Sequence, residues 1–435
     1  MMDILSLIRS KKAEILLLTC SLIVCASILE LSSAWVYSHH FNREFSYQYT
    51  QKRITDSLNT TSFSIEEDFE KNLKYGDKKF SILHPYMGYV LSEDFHSNDY
   101  GFYSDEMIIQ KSSDKVIIGI FGGSLALFNF NNPEELKKEL SKSPLFRDKD
   151  IKVVVLALVE YKQPQQLMAL NYVSVMGGEF DYVINLDGFN EVVLTQAVNV
   201  PLGVHPIFPH AWNMRSRSTS SPDIMPQLYK IQEIKKDRLW FTEMASKTPF
   251  RHSTFFLTLW EILDQEKENE LYSANNELKK ILSDDNKKRQ SRGPLFEYTD
   301  YDTLVSDSVD IWRRSSMMMS KICESKGMTY LHFLQPNQYV TGSKKYFTEY
   351  EEQKYIPDSP YAIAATRGYP VLLSQGKFLQ QHINFYDLTM IFENETETVY
   401  YDSCCHVNRY GKSIITKTVA EKIIQQEALK RQSER

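Results

Sequence analysis

Runs of consecutive apolar residues recur along the chain: Val116-Ile117-Ile118-Gly119-Ile120-Phe121, Val153-Val154-Val155-Leu156-Ala157-Leu158, Tyr182-Val183-Ile184-Asn185-Leu186 and Tyr330-Leu331-His332-Phe333-Leu334, with a weaker one at Ile383-Asn384-Phe385-Tyr386. A half-buried strand alternates apolar and polar positions, whereas an unbroken apolar run of this length reads as a strand covered on both faces. Helical stretches are predicted between several of these runs, at 132–142 and 164–176. The last segment, from Gly411 to about Arg431, carries Ile414, Ile415, Val419, Ile423 and Ile424 at helical spacing on one face. Strand–helix alternation of this kind predicts an α/β fold, a mainly parallel sheet with helices on both faces.

The remaining segments have a different texture. Residues 38–75 are polar and charged, and read as a partly helical stalk. Residues 80–105 are rich in aromatics and turn formers, as expected of short strands packed on the main domain. An insertion of roughly 120 residues separates the third and fourth strands, too long for a simple crossover. Its middle, 264–288, is charged and helix-prone, and its first part, 199–226, is rich in Pro and Ser and predicts loops.

At the amino end, Arg9, Lys11 and Lys12 precede an apolar run that begins at Ile15 and continues past Glu30 to Val36. About 20 such residues, about 30 Å as a helix, cross a bilayer core. The basic flank would stay cytoplasmic and the rest of the chain would lie outside. Trp35 and Tyr37 would then sit at the outer interface, with Glu30 approaching the head groups. Ser32 and Ala34 also form a small-residue cleavage site, so a cleaved signal peptide is the alternative; both readings export the body. A net charge of −6 gives no reason to expect nucleic acid as a partner. Outside the apolar run only Cys323, Cys404 and Cys405 remain, which fits either one disulfide with one thiol left over or three buried thiols.

In an open parallel sheet, ligands bind beyond the carboxyl ends of the strands. After the first run comes Gly122-Gly123-Ser124-Leu125-Ala126, where two glycines permit a sharp turn that leaves Ser124 at the start of a helix. After the third comes Asp187-Gly188-Phe189-Asn190-Glu191, a tight turn carrying an amide donor. Just before the last helix comes Asp402-Ser403-Cys404-Cys405-His406-Val407-Asn408. A serine, an amide and an Asp/His pair thus fall at strand ends or at a helix start, the residue types that attack on an ester carbonyl requires. The histidines at 205, 210 and 332 lack a convincing set of metal ligands and read as structural.

This order of blocks resembles the SGNH (GDSL-like) hydrolases, across about residues 111–200 and 326–425. The segments Tyr161-Lys162-Gln163-Pro164-Gln165-Gln166 and His332-Phe333-Leu334-Gln335-Pro336-Asn337-Gln338-Tyr339 are similar to those of envelope-anchored bacterial members. The resemblance implies a three-layer, flavodoxin-like sheet and a serine esterase or O-acyl transferase acting on an ester of an envelope glycan or lipid, with no cofactor. It implies Ser124 as nucleophile, His406 as base and Asp402 as its orienting acid. The oxyanion donors would be Asn190, the Ser124 backbone N–H and the Glu160 backbone N–H. Three positions depart from the family pattern. Gly123 stands where the family has an aspartate, Asp402 lies four residues before His406 and not three, and Glu160 occupies a loop that usually carries glycine, where its carboxylate would crowd an oxyanion. A non-catalytic envelope binding protein on the same fold is therefore the competing expectation. If the sheet neighbours are as in that family, Cys323 would bridge to Cys404 or Cys405. The expected organisation is a cytoplasmic tail (1–14), an anchor (15–37), stalk and accessory strands (38–110), a first sheet part (111–200), a mostly helical insertion (201–325) and a second sheet part (326–435).

Overall fold

The computed structural model of the protein describes residues 21, 24–25, 27–60, 74–75, 78–79, 81–95, 97–212, 215, 224–285, 293–294, 298 and 300–433. The chain divides into two units, Met1–Glu70 with Ser220–Lys288 and Lys71–Thr219 with Arg289–Arg435.

The second unit is α/β. A hairpin of β1 (Ser81–His84) and β2 (Gly88–Leu91) is followed by β3 (Lys115–Gly122), α1 (Ser124–Phe130), α2 (Glu134–Ser141), β4 (Asp150–Val155), α3 (Gln165–Val175), β5 (Tyr182–Asp187) and α4 (Phe189–Leu194). After the insertion come α5 (Tyr301–Ser325), β6 (Thr329–Leu334), α6 (Pro360–Gln380), β7 (Asn384–Asp387) and α7 (Arg409–Ser433). Five strands form one sheet in the order β4-β3-β5-β6-β7, every pair parallel.

The pleat explains why β3 is apolar throughout. Successive side chains leave a strand on opposite faces. Val116, Ile118 and Ile120 enter one core with Leu127 and Phe130 of α1, Leu136 of α2, and Ile415 and Val419 of α7. Ile117 and Phe121 enter the other, with Leu170 and Val173 of α3 and Met319 and Cys323 of α5. Each such apolar side chain contributes roughly 1.5–3 kcal/mol by leaving water, so a polar residue is tolerated on either face only where it finds hydrogen-bond partners. The hairpin joins the second core through Tyr89, Val90 and Leu91.

The first unit is helical, built from Tyr47–Thr60, Ile224–Ser246 and Thr254–Asp285 around Ile54, Ala245, Leu257 and Trp260. Two buried acids one turn apart organise it. Glu261 accepts hydrogen bonds from Arg53 Nη1 (3.0 Å) and the Tyr37 hydroxyl (2.9 Å), and Asp264 accepts from Arg53 Nη2 (2.9 Å) and Arg238 Nε (2.6 Å). Buried carboxylates persist only when paired in this way.

Of the anchor predicted over 15–37, residues 15–20, 22, 23 and 26 lie outside the described residues. Residues 27–41 are helical, and among the described residues no helix is long and apolar enough to cross a membrane. Trp35 is exposed, but Tyr37 is buried against Glu261, and Glu30 accepts from Ser253 Oγ and the Phe255 N–H at the start of Thr254–Asp285. Glu30 and Tyr37 thus find protein partners. Helix α5 falls within the 201–325 expected for the insertion. Helix α5 belongs to the sheet unit because it runs directly into β6 and buries Trp312, Met319 and Cys323.

Candidate active site

The turn from β3 into α1 depends on both glycines. Gly122 has φ +147°, and a Cβ there would lie 2.1 Å from the Leu186 carbonyl oxygen of β5. Gly123 meets a different neighbour: a Cβ would lie 2.3 Å from Nδ2 of Asn190. An aspartate at 123 is therefore incompatible with the place this chain gives to Asn190. Ser124 opens α1 with no side chain intervening before it.

His406 reaches Ser124 from the opposite end of the sequence. Its Nε2 lies 2.8 Å from Ser124 Oγ, and its Nδ1 lies 2.5 Å from Asp402 Oδ2. The four-residue spacing works because the loop curls around the carboxylate. Asp402 Oδ1 accepts from the backbone N–H groups of Cys404 (3.0 Å), Cys405 (3.1 Å) and His406 (3.2 Å). The imidazole is held between Tyr401, stacked at 6.0 Å, and Phe128, edge-on at 5.2 Å. It keeps 17% of its side-chain surface exposed, and Asp402 keeps 32%.

Electrostatics follow from this packing. Burial works to raise the Asp402 carboxyl, but the imidazole and the backbone donors outweigh it and hold the group below its ordinary value. For His406, burial works to lower the pKa, yet charge on the adjacent Cys405 sulfur and the bonded Asp402 carry it up to about 9. The pair is thus biased toward the imidazolium–carboxylate form that a proton-accepting base reaches in turnover.

The loops after β4, β5 and β6 position the rest. Asn190 is buried and donates from Nδ2 to the Tyr161 carbonyl (2.8 Å). A side-chain amide carries two N–H donors, and this carbonyl takes one. Glu191, fully buried, accepts from the N–H groups of Gly188 (2.8 Å) and Gln163 (2.9 Å) and from Gln166 Nε2 (3.2 Å), tying the second loop to the third. Burial, with the Asp187 charge adding to it, raises its pKa to about 8. The loop after β6 grips the histidine loop by its carbonyls: Asn337 Nδ2 donates to Cys404 O (3.3 Å), Gln338 Nε2 to Asp402 O (3.1 Å) and the Tyr339 hydroxyl to Ser403 O (2.5 Å).

Glu160 is the departure that changes most in three dimensions. Its backbone has φ +61°, the left-handed region that glycine enters without strain. Its carboxylate is taken up by Arg215, and His210 Nδ1 lies 2.9 Å from it. Arg215 is itself buried, donates to Ser81 Oγ (2.8 Å) and lies 3.8 Å over the Tyr89 ring. The negative charge expected to crowd an oxyanion is thus balanced by a guanidinium.

The cysteines do not pair as expected. Cys323, Cys404 and Cys405 are not in disulfides. Cys323 is buried in the core between the sheet and α3 and α5, whereas Cys404 and Cys405 stand beside each other in the histidine loop, sulfurs 3.1 Å apart. Among the described residues, Cys404, Cys405 and His406 also form a group of three metal-type donors within 4.8 Å of one another. Both nitrogens of that imidazole are already engaged by Asp402 and Ser124.

His332 belongs to a second array that the sequence did not disclose. Its Nδ1 lies 2.7 Å from Ser316 Oγ and its Nε2 2.7 Å from Asp187 Oδ1, which also accepts from Trp312 Nε1 (2.7 Å). Asn185 Nδ2 bonds the other oxygen of Asp187 at 2.7 Å. A groove of about 1040 Å³ is lined by Phe128, Asn129, Asn132, Lys138, Arg409 and Tyr410 among others, and neither Ser124 nor His406 is part of its wall. Phe128 is shared between its wall and His406.

No family model matches the chain, and no curated protein matches it significantly.

Proposed function

We propose that the chain is a serine esterase or O-acyl transferase of the SGNH (GDSL-like) type, acting on an ester of a cell-envelope glycan or lipid. The observation that carries this reading is the 2.8 Å and 2.5 Å relay from Ser124 through His406 to Asp402. The five-strand order β4-β3-β5-β6-β7, which is the flavodoxin-like order, supports it, since the nucleophile then follows the first strand of the sheet.

In the proposed reaction Ser124 Oγ attacks the acyl carbon while His406 Nε2 accepts its proton, and Asp402 stabilises the imidazolium. The Ser124 N–H, the Asn190 amide and the residue 160 N–H are the proposed donors to the oxyanion. Collapse of the tetrahedral intermediate expels the alcohol, which takes the proton from His406. Water or an acceptor hydroxyl then attacks the acyl-Ser124 ester with the same proton movements in reverse.

The reading includes anchoring by residues 15–37 with the body outside, because Arg9, Lys11 and Lys12 flank the apolar run on its amino side. Protease added to intact spheroplasts should then digest the body. For the chemistry, the full chain in detergent should hydrolyse a short-chain aryl acetate, and Ser124→Ala should abolish turnover. Folded wild-type protein without turnover would favour the non-catalytic alternative.

A further inference from the structure

Cys404 and Cys405 are adjacent in sequence, and their sulfurs lie on the same side of the loop, 3.1 Å apart. A disulfide bond is about 2.05 Å long, so the sulfurs must approach by about 1 Å, and because adjacent Cα atoms lie only about 3.8 Å apart, closer than in most disulfides, the 404–405 peptide must turn as the ring closes. Cys404 is half-buried and reachable from solvent, while Cys405 is 1% exposed and sits behind it. Cys323 offers no competition: it lies in a separate core, and burial pushes its thiol up to about 12, leaving it protonated and inert.

We infer that Cys404 and Cys405 form a thiol–disulfide exchange site that closes to a vicinal disulfide at the expense of an external small-molecule or protein disulfide. The Cys404 thiolate attacks one sulfur of R–S–S–R, that bond breaks, and one thiolate leaves. The Cys405 thiolate then attacks Cys404 Sγ in the mixed disulfide and expels the second. The two protein sulfurs are oxidised, the external disulfide is reduced to two thiols, and the two cysteine protons end on them.

The backbone makes this exchange consequential. The N–H groups of Cys404 and Cys405 are two of the three that hold Asp402 Oδ1. Closing the ring re-orients the 404–405 peptide, withdraws those donors and loosens the carboxylate behind His406. This second step rests on the esterase reading; the exchange itself does not.

Full-length protein treated with glutathione disulfide, quenched with an alkylating agent and digested gives the test. The expected peptide spanning 402–408 has lost two hydrogens and carries no alkyl group, and Cys405→Ser instead keeps a glutathione adduct on Cys404. A wild-type peptide alkylated at both cysteines, or holding a stable glutathione adduct, overturns the exchange site. In parallel, the rate at which a fluorophosphonate modifies Ser124 should fall at least about tenfold on oxidation, as when the residue orienting a base is displaced, and return with dithiothreitol. A bridged chain that labels as fast as the reduced one overturns the link to Asp402. A chain that forms the bridge but labels in neither state contradicts the esterase reading and leaves the exchange site standing.

Discussion

Among the described residues, two Ser–His–Asp relays have nearly the same bond lengths and opposite surroundings. Ser124–His406–Asp402 stands at the carboxyl end of β3, with the imidazole 17% and the carboxylate 32% exposed. Ser316–His332–Asp187 lies inside the fold, its imidazole 0% and its carboxylate 1% exposed. Asp187 is saturated by Trp312, Asn185 and His332, and Ser316 lies within α5, held between that imidazole and the Tyr330 hydroxyl at 3.2 Å. No reacting carbonyl reaches a serine so enclosed. Residue types in hydrogen-bond contact therefore do not make a site; a strand end, an open side and a neighbouring donor do. The buried relay instead satisfies polar groups beneath the sheet, where each lost partner is costly.

The comparison can be broken most decisively by removing one member from each relay. Ser124→Ala and His406→Ala should each lower aryl acetate turnover by about 10⁴–10⁶, and by similar amounts, because such a unit fails together. Ser316→Ala should leave turnover within about threefold and instead cost about 1–3 kcal/mol of stability, from the buried imidazole nitrogen it strands; urea unfolding reads this out. Equal activity losses at 124 and 316 would erase the distinction.

A smaller loss is expected at Gly123→Ala, whose new Cβ would collide with Nδ2 of Asn190. Displacing one oxyanion donor should reduce kcat by about 10²–10³ with KM little changed. An unchanged kcat would remove Asn190 from the mechanism.

The gentlest probe is pH. The base must be neutral to accept the serine proton, and the His406 pKa is raised to about 9, so activity should climb with pH through that value and fall away below it. Asp402→Asn removes a charge that favours the imidazolium, so the rising limb should move to lower pH while the plateau drops. A limb that stays in place would detach Asp402 from His406.

How much of this was legible beforehand varies with the range of the interaction. The strands were visible because two-sided burial demands unbroken apolar runs, as at Val116 to Phe121. Ser124, Asn190 and His406 were visible because strand ends and helix starts are marked locally by glycine and polar residues. What escaped depends on partners distant in sequence. Arg215 neutralises Glu160 from 55 positions away, and Glu261 buries Tyr37 from 224 away. The reach of Asp402 to His406 depended on a loop conformation set by three N–H bonds, which residue spacing does not encode. Glu191 alone left a local trace, since Glu three residues after a turn glycine is the spacing of a helix capping box.

The central claim is that Ser124, and not Ser316, is the nucleophile of an acyl-transferring site. Full-length folded protein treated with a fluorophosphonate and mapped by peptide mass spectrometry addresses it directly. The account predicts one covalent adduct, on Ser124, absent from Ser124→Ala and strongly slowed in His406→Ala. Folded protein that carries no adduct at Ser124, or carries one at Ser316, would contradict it.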